Sequence, residues 1–177
     1  TPFPCAAHLY ALYILRETSL AREQDMLRKA SSNKLRIGRV SEEGRIYHIT
    51  LTTYQRHPYF DNFWTGRCLV NALQQVHQSA ETLCYVVMPD HLHWLMQVHN
   101  QQNLSSIVQK VKSLATKSLR SNNFLADDDL WQKGFHDRAL RREDDIQQVA
   151  RYIVANPIRA GIVKSVREYS LWDAIWV

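Results

Sequence analysis

Two histidines one residue apart form the densest chemical signal in the chain, within Met88-Pro89-Asp90-His91-Leu92-His93-Trp94. On a β-strand side chains alternate with period two, so His91 and His93 point to one face and Leu92 to the other. Two imidazoles on one face can share a divalent metal ion, although core packing gives the same pattern. Such a pair needs a third ligand. A candidate comes from the C-terminal helical stretch, where Tyr152 and Asn156 are four residues apart and therefore one turn apart on one face. That face lies off the apolar stripe of Ile146, Val149, Ala150 and Ile153. Taken singly, Tyr152 reads as a surface tyrosine and Asn156 as a helix-ending residue before Pro157. Taken together, they place a phenol and an amide oxygen on one side of a helix.

A second signal is charge. Between His91 and Ala126 there is no Asp or Glu, while Lys110, Lys112, Lys117 and Arg120 all fall there. Leu104, Ile107, Val111, Leu114 and Ala115 make a helical apolar stripe with Leu119 at its edge, and Lys110, Ser113, Lys117 and Arg120 occupy the opposite side. A cationic helix face without acids is what binding to a phosphate backbone requires, and a solvated face is the plainer reading. A further basic cluster runs through Arg28, Lys29, Lys34, Arg36, Arg39 and Arg45, opposed by Glu42 and Glu43.

The elements that must position these groups are legible in the patterning. Residues 6–30 read as helical, with a break at Ser31-Ser32-Asn33. Ile46 to Tyr54, rich in β-branched and aromatic residues, predicts a strand. Asp61 is a candidate N-cap for a helix with Trp64, Cys68, Leu69, Ala72, Leu73 and Val76 on its core face. Leu83 to Met88 and His91 to Val98 flank Pro89-Asp90 and predict a hairpin that carries the histidines. The basic helix is expected over residues 103–121 and a short strand within Trp131 to Leu140. Glu143, Asp144 and Asp145 open a last helix, limited by Pro157. The order β-α-β-β-α-β predicts an α+β fold: a ferredoxin-like antiparallel sheet with helices on one face. Residues 1–35 are expected to be a helical N-terminal extension and 36–177 the main domain.

Composition bounds the function. At 177 residues and 45% hydrophobic, the chain can bury roughly two thirds of its unfolded surface as one domain, which argues against disorder. No run of 18 apolar residues exists to span a bilayer, and the opening stretch Ala6 to Leu15 is a poor signal peptide. Cys5, Cys68 and Cys84 are odd in number, lack a C-x-x-C pair, and read as reduced thiols of a cytosolic protein. The net charge of +5 favours an anionic partner. His48, His57, His77 and His99 show no partner spacing and read as ordinary. Trp94, Trp131, Trp172 and Trp176 could stack on unpaired bases, but core packing is the commoner use of tryptophan.

Three segments carry a resemblance: YVVMPDHLHWLMQ at 85–97, WQKGFHDRALR at 131–141 and YIVANPIRAGIV at 152–163, joined by RIGRVSEEGRIYHITLTTYQRHPYF at 36–60. The sequence resembles the HUH single-tyrosine transposases, and most closely the bacterial REP-associated tyrosine transposases, from about Arg36 to Val177. Residues 1–35 have no counterpart. The resemblance implies that His91 and His93 are the metal-binding pair, Tyr152 the nucleophile and Asn156 the third ligand, in place of the Gln common in related enzymes. Such a mixed N/O site suits Mg²⁺ or Mn²⁺. The implied activity is metal-dependent, site-specific nicking and joining of single-stranded or hairpin (REP-type palindromic) DNA through a 5′-phosphotyrosine link. Lys110, Lys117, Arg120, Arg138, Arg36 and Arg39 are the expected DNA-binding residues. The resemblance also implies a cytoplasmic, nucleoid-associated protein, monomeric rather than dimeric.

Two other functions remain open at this point. A DNA-hairpin-binding protein that does not cut would leave His91 and His93 structural. A zinc hydrolase would use them to hold a catalytic zinc, but lacks an evident third ligand near the strand.

Overall fold

A computed structural model describes residues 44–99, 102–126, 128–141 and 145–176. Among these residues, β1 (Ile46–Thr52), β2 (Ala80–Met88), β3 (His91–Val98), β4 (His136–Ala139) and β5 (Trp172–Ala174) form one antiparallel sheet in the order β4-β1-β3-β2-β5. The α-helices described with it are α1 (Phe63–Gln74), α2 (Leu104–Ser121), α3 (Ile146–Val154) and the single turn α4 (Asn156–Arg159). The α+β class and the antiparallel sheet expected from the element order are thus present. The expected N-terminal extension (residues 1–35), together with Arg36 and Arg39 of the expected main domain, lies outside the described residues.

The sheet has two apolar faces, and each has its own cover. Ile49 and Leu51 of β1, Leu92, Trp94 and Met96 of β3, and Tyr85 and Val87 of β2 form one core with α1 and α2. These are the two helices of the β-α-β-β-α-β unit, and they share one face as expected. The other face carries Val86 and Met88 of β2 and Leu95 of β3, covered by Ala150, Ile153 and Val154 of α3. The same period-two alternation that puts Leu92 and Trp94 under α1 and α2 therefore turns His91 and His93 toward the α3 side. A bulge in β2 between Thr82 and Cys84 sets two residues against one, so that Leu83 and Cys84 both enter the second core while Thr82 stays on the first. There Thr82 Oγ1 accepts the indole N–H of the fully buried Trp94 at 3.0 Å.

Some local expectations shift. The cap of α1 is Asn62, whose side chain accepts from Trp64 N, because Asp61 lies one residue too early. Trp64, expected in the core, is 64% exposed: it sits in the first turn of α1, beyond the edge of the sheet-facing stripe. Strand β2 begins at Ala80, three residues before the apolar run suggests, since the more polar Glu81 and Thr82 still pair with β3. Strand β5, only three residues long, has no counterpart among the expected elements. Asp145 caps α3 by accepting from Gln148 N.

Candidate functional site: a histidine pair beneath a tyrosine-bearing helix

The register of β1 against β3 decides what surrounds the histidines. Thr52 is paired with His91, Thr50 with His93 and His48 with Leu95, and residues paired across an antiparallel ladder share a face. His91 Nε2 and His93 Nε2 lie 3.2 Å apart, with their rings nearly perpendicular. Two nitrogens each about 2.1 Å from one ion would be separated by roughly 3.0–3.4 Å in octahedral or tetrahedral geometry, so the spacing fits a shared ion.

Each ring is held from behind. Asp90 Oδ1 accepts the Nδ1–H of His91 at 2.5 Å, which leaves the lone pair on Nε2. The Asp90 side chain is fully buried, and Arg56 Nη1 donates to its other oxygen at 3.1 Å, so the carboxylate is matched by charge on one side and imidazole on the other. The Thr53 backbone N–H and hydroxyl both donate to the Asp90 carbonyl, fixing the hairpin turn. Gln55 and Arg56 adopt left-handed backbone angles (φ 51° and 56°), costly for residues with a Cβ, and this turn delivers Arg56 to Asp90. His93 Nδ1 is 3.2 Å from both Thr50 Oγ1 and His48 Nε2, so an N–H there has two acceptors and Nε2 again keeps its lone pair. Burial, then the nearby His91, His48, Arg56 and Arg159, hold His93 well below its ordinary pKa. His48 is lowered to about 4 by burial and by Arg138. His93 is therefore neutral at pH 7, the form that binds metals.

Helix α3 lies over this same face. Tyr152 projects from it, 53% exposed, and the Arg159 guanidinium lies over its ring at 4.1 Å from the centroid. Asn156 opens α4 and is 4% exposed. Its Nδ2 donates to the carbonyls of Tyr152 (3.2 Å) and Ile153 (2.9 Å), closing the end of α3. These bonds fix which end of the amide is nitrogen. The Oδ1 atom then has no hydrogen-bond donor among the described residues, and a buried amide oxygen without a donor is costly unless something else binds it. Among the described residues no three His, Cys, Asp or Glu side chains are grouped to hold a metal. An amide oxygen joined to the two imidazoles would make a mixed N/O set that suits a divalent ion and holds no carboxylate or thiolate.

The basic residues do not all converge. Arg138, exposed on β4 opposite His48, stands on the histidine face. Lys110, Lys117 and Arg120 are exposed on α2, on the other side of the sheet. Lys117 and Arg120 there line a groove of about 440 Å³ with Lys112, Ser113, Thr116 and Trp131. Lys112 lies over the Trp131 ring and donates to the carbonyls of Gln132 and Gly134. Sequence reasoning misses Asp90, Arg56, His48 and Arg159. In the sequence Asp90 reads only as a turn residue. His48 sits at an alternate position of β1, but without the β1–β3 register nothing ties it to His93.

This arrangement belongs to a known class: over residues 42–156 the chain matches the family described as Transposase IS200 like, and it is a member of that family. Of particular relatives, it is 28% identical over 90 residues to the REP-associated tyrosine transposase of Escherichia coli K12, covering 50% of this chain and 51% of that protein. It is 26% identical over 102 residues to a Haemophilus influenzae protein provisionally described in the same terms, covering 52% and 58%. The chain thus spans only about half the length of these relatives. A solved REP-associated tyrosine transposase bound to a REP hairpin has the same fold, with a TM-score of 0.63 and 23% identity over 76% of this chain and 79% of that one.

Proposed function

We propose that the chain nicks and rejoins single-stranded DNA beside a hairpin, through a covalent link between Tyr152 and a 5′-phosphate. The observation that carries this reading is the convergence of two imidazole Nε2 atoms, 3.2 Å apart, on the sheet face covered by a helix with an exposed tyrosine. His91, His93 and the Asn156 oxygen are the groups that would hold Mg²⁺ or Mn²⁺. A divalent ion bound there would neutralise charge on the scissile phosphate and polarise its bonds.

The protein's own groups account for the rest. The Tyr152 phenol gives its proton to solvent and its oxygen attacks phosphorus; the bond to the 3′-oxygen breaks, and that oxygen takes up a proton from solvent and leaves as a 3′-hydroxyl. The phosphodiester is conserved as a phosphotyrosine, so a 3′-hydroxyl can reverse the step and join strands. Asp90, Arg56 and Thr50 keep the imidazoles oriented. Tyr152 is exposed, as is Tyr54 in the turn after β1, but only Tyr152 stands on the helix that covers the histidine face; Tyr47 and Tyr85 are buried, and the Tyr169 hydroxyl donates to the Val87 carbonyl at 2.6 Å.

DNA would be held through its backbone by Arg138 and by Lys110, Lys117 and Arg120 on α2. The α2 groove opens beside Trp131, which bridges to Thr53 at the start of the segment leading into β4. A strand crossing the β4 edge would pass from that groove to Arg138 and the histidines. The test is cleavage of labelled hairpin oligonucleotides carrying a single-stranded foot, with Mg²⁺ or Mn²⁺. A nicked product with protein attached to its 5′ end is expected. Binding without nicking, or a free 5′-phosphate from water attack, would refute the proposal.

A further inference from the structure

Arg159 is the last residue of α4, and the break at Ala155 between α3 and α4 places it on the histidine side of the sheet. Its guanidinium carbon is 4.1 Å from the centroid of the Tyr152 ring. The side chain is exposed, and among the described residues its N–H groups meet no carboxylate and no hydrogen-bond acceptor. Its charge is also close enough to His93 to lower that imidazole's pKa. Arg56, the other cation that acts on His93, is committed to Asp90. Arg159 therefore differs from the cations around it: it is fixed by a ring contact, and its five donors are unspent. A planar donor fork stacked on the nucleophile's ring, and within electrostatic range of His93, has the shape and charge to receive two oxygens of a phosphodiester.

We propose that Arg159 is a catalytic residue that grips the non-bridging oxygens of the phosphate attacked by Tyr152. This rests on Tyr152 being the nucleophile. In the step, the Tyr152 phenol gives its proton to solvent and its oxygen bonds to phosphorus, the bond to the 3′-oxygen breaks and that oxygen takes up a proton from solvent, while Arg159 stays protonated and exchanges nothing. Its contribution is to turn the phosphate toward the ring on which it is stacked and to offset the charge that repels the phenol.

The experiment pairs wild type, Arg159→Gln and Arg159→Lys with the hairpin oligonucleotide that wild type cleaves. Adduct formation is first timed at saturating DNA. Binding is then measured by fluorescence anisotropy in EDTA, with a natural phosphate or an uncharged methylphosphonate at the cleaved position. Neutralising that phosphate should weaken wild-type binding about tenfold or more. Arg159→Gln should bind both oligonucleotides alike and form adduct far more slowly. Arg159→Lys should retain part of the discrimination, because it keeps the charge and loses the fork. An Arg159→Gln variant that is slow but still discriminates as wild type does would show that the guanidinium only packs on the ring, and would overturn the proposal. Wild-type adduct rates in Arg159→Gln would do the same. Absence of any wild-type adduct would instead overturn the nucleophile assignment, and this proposal with it.

Discussion

His91 shows how much of a metal-type site depends on groups that do not face the ion. Its Nδ1–H is committed to the buried Asp90 carboxylate, so the ring cannot present the wrong tautomer. Replacing Asp90 by Asn exchanges a charged acceptor for an amide and strands Arg56. Mn²⁺ affinity, measured by titration calorimetry, should fall by about 10–100-fold while the circular dichroism spectrum is retained. Unchanged affinity would mean the carboxylate is structural only. His91→Ala and His93→Ala should each abolish nicking without unfolding, and near wild-type cleavage by either would remove the pair from the mechanism. At this scale the H-x-H pair and Tyr152 fall where the strand and helix periods put them, whereas Asn156 lies past the break at Ala155, and reading the four as one site rests on the family resemblance. Asp90, His48 and Arg159 are not legible in the sequence. Their meaning depends on a turn, a strand register and a break between helices, none of which leaves a periodic trace.

Helix α3 joins the tyrosine to the sheet through few buried side chains, with Ile153 fully buried among Leu83, Val86 and Leu95. Ile153→Ala should cost about 2–5 kcal/mol in urea unfolding. Adduct formation should also drop in the fraction that remains folded, since Tyr152 is its chain neighbour. A destabilisation below about 1 kcal/mol would mean that α3 is not anchored there. Helix α2 is legible in the sequence almost to the residue, because its apolar stripe and its acid-free polar face agree on one period. Its position is not: the stripe says that one face is buried, but not on which side of the sheet. With Lys110, Lys117 and Arg120 changed to Gln, the salt dependence of hairpin binding should flatten by up to about 0.7 in slope for each phosphate the variant no longer neutralises. An unchanged slope would return the face to solvent.

For the molecule as a whole, two cores back to back on one sheet explain why the chain needs no cross-link. Cys84 is buried in the second core, and burial pushes its thiol pKa up to about 12. At mildly alkaline pH its reactive thiolate is therefore nearly absent. Iodoacetamide should leave Cys84 unmodified in the native protein and alkylate it in guanidinium chloride, as read by peptide mass spectrometry; native labelling would mean that this core opens. No described helix is long and apolar enough to cross a membrane. The sheet carries the histidines on one face and the α2 cations behind the other, so DNA held by both, as proposed, would have to reach both sides of one edge. The central claim is narrower than that path, namely that Tyr152 becomes covalently attached to DNA. Wild type and Tyr152→Phe should be incubated with Mg²⁺ or Mn²⁺ and a hairpin oligonucleotide with a single-stranded foot. Adducts are then trapped, digested and mapped by mass spectrometry. The nucleotide should be found on the peptide containing Arg151-Tyr152-Ile153, and the Phe variant should bind DNA normally yet form no adduct. An adduct on another tyrosine, or full cleavage by the Phe variant, would contradict the account.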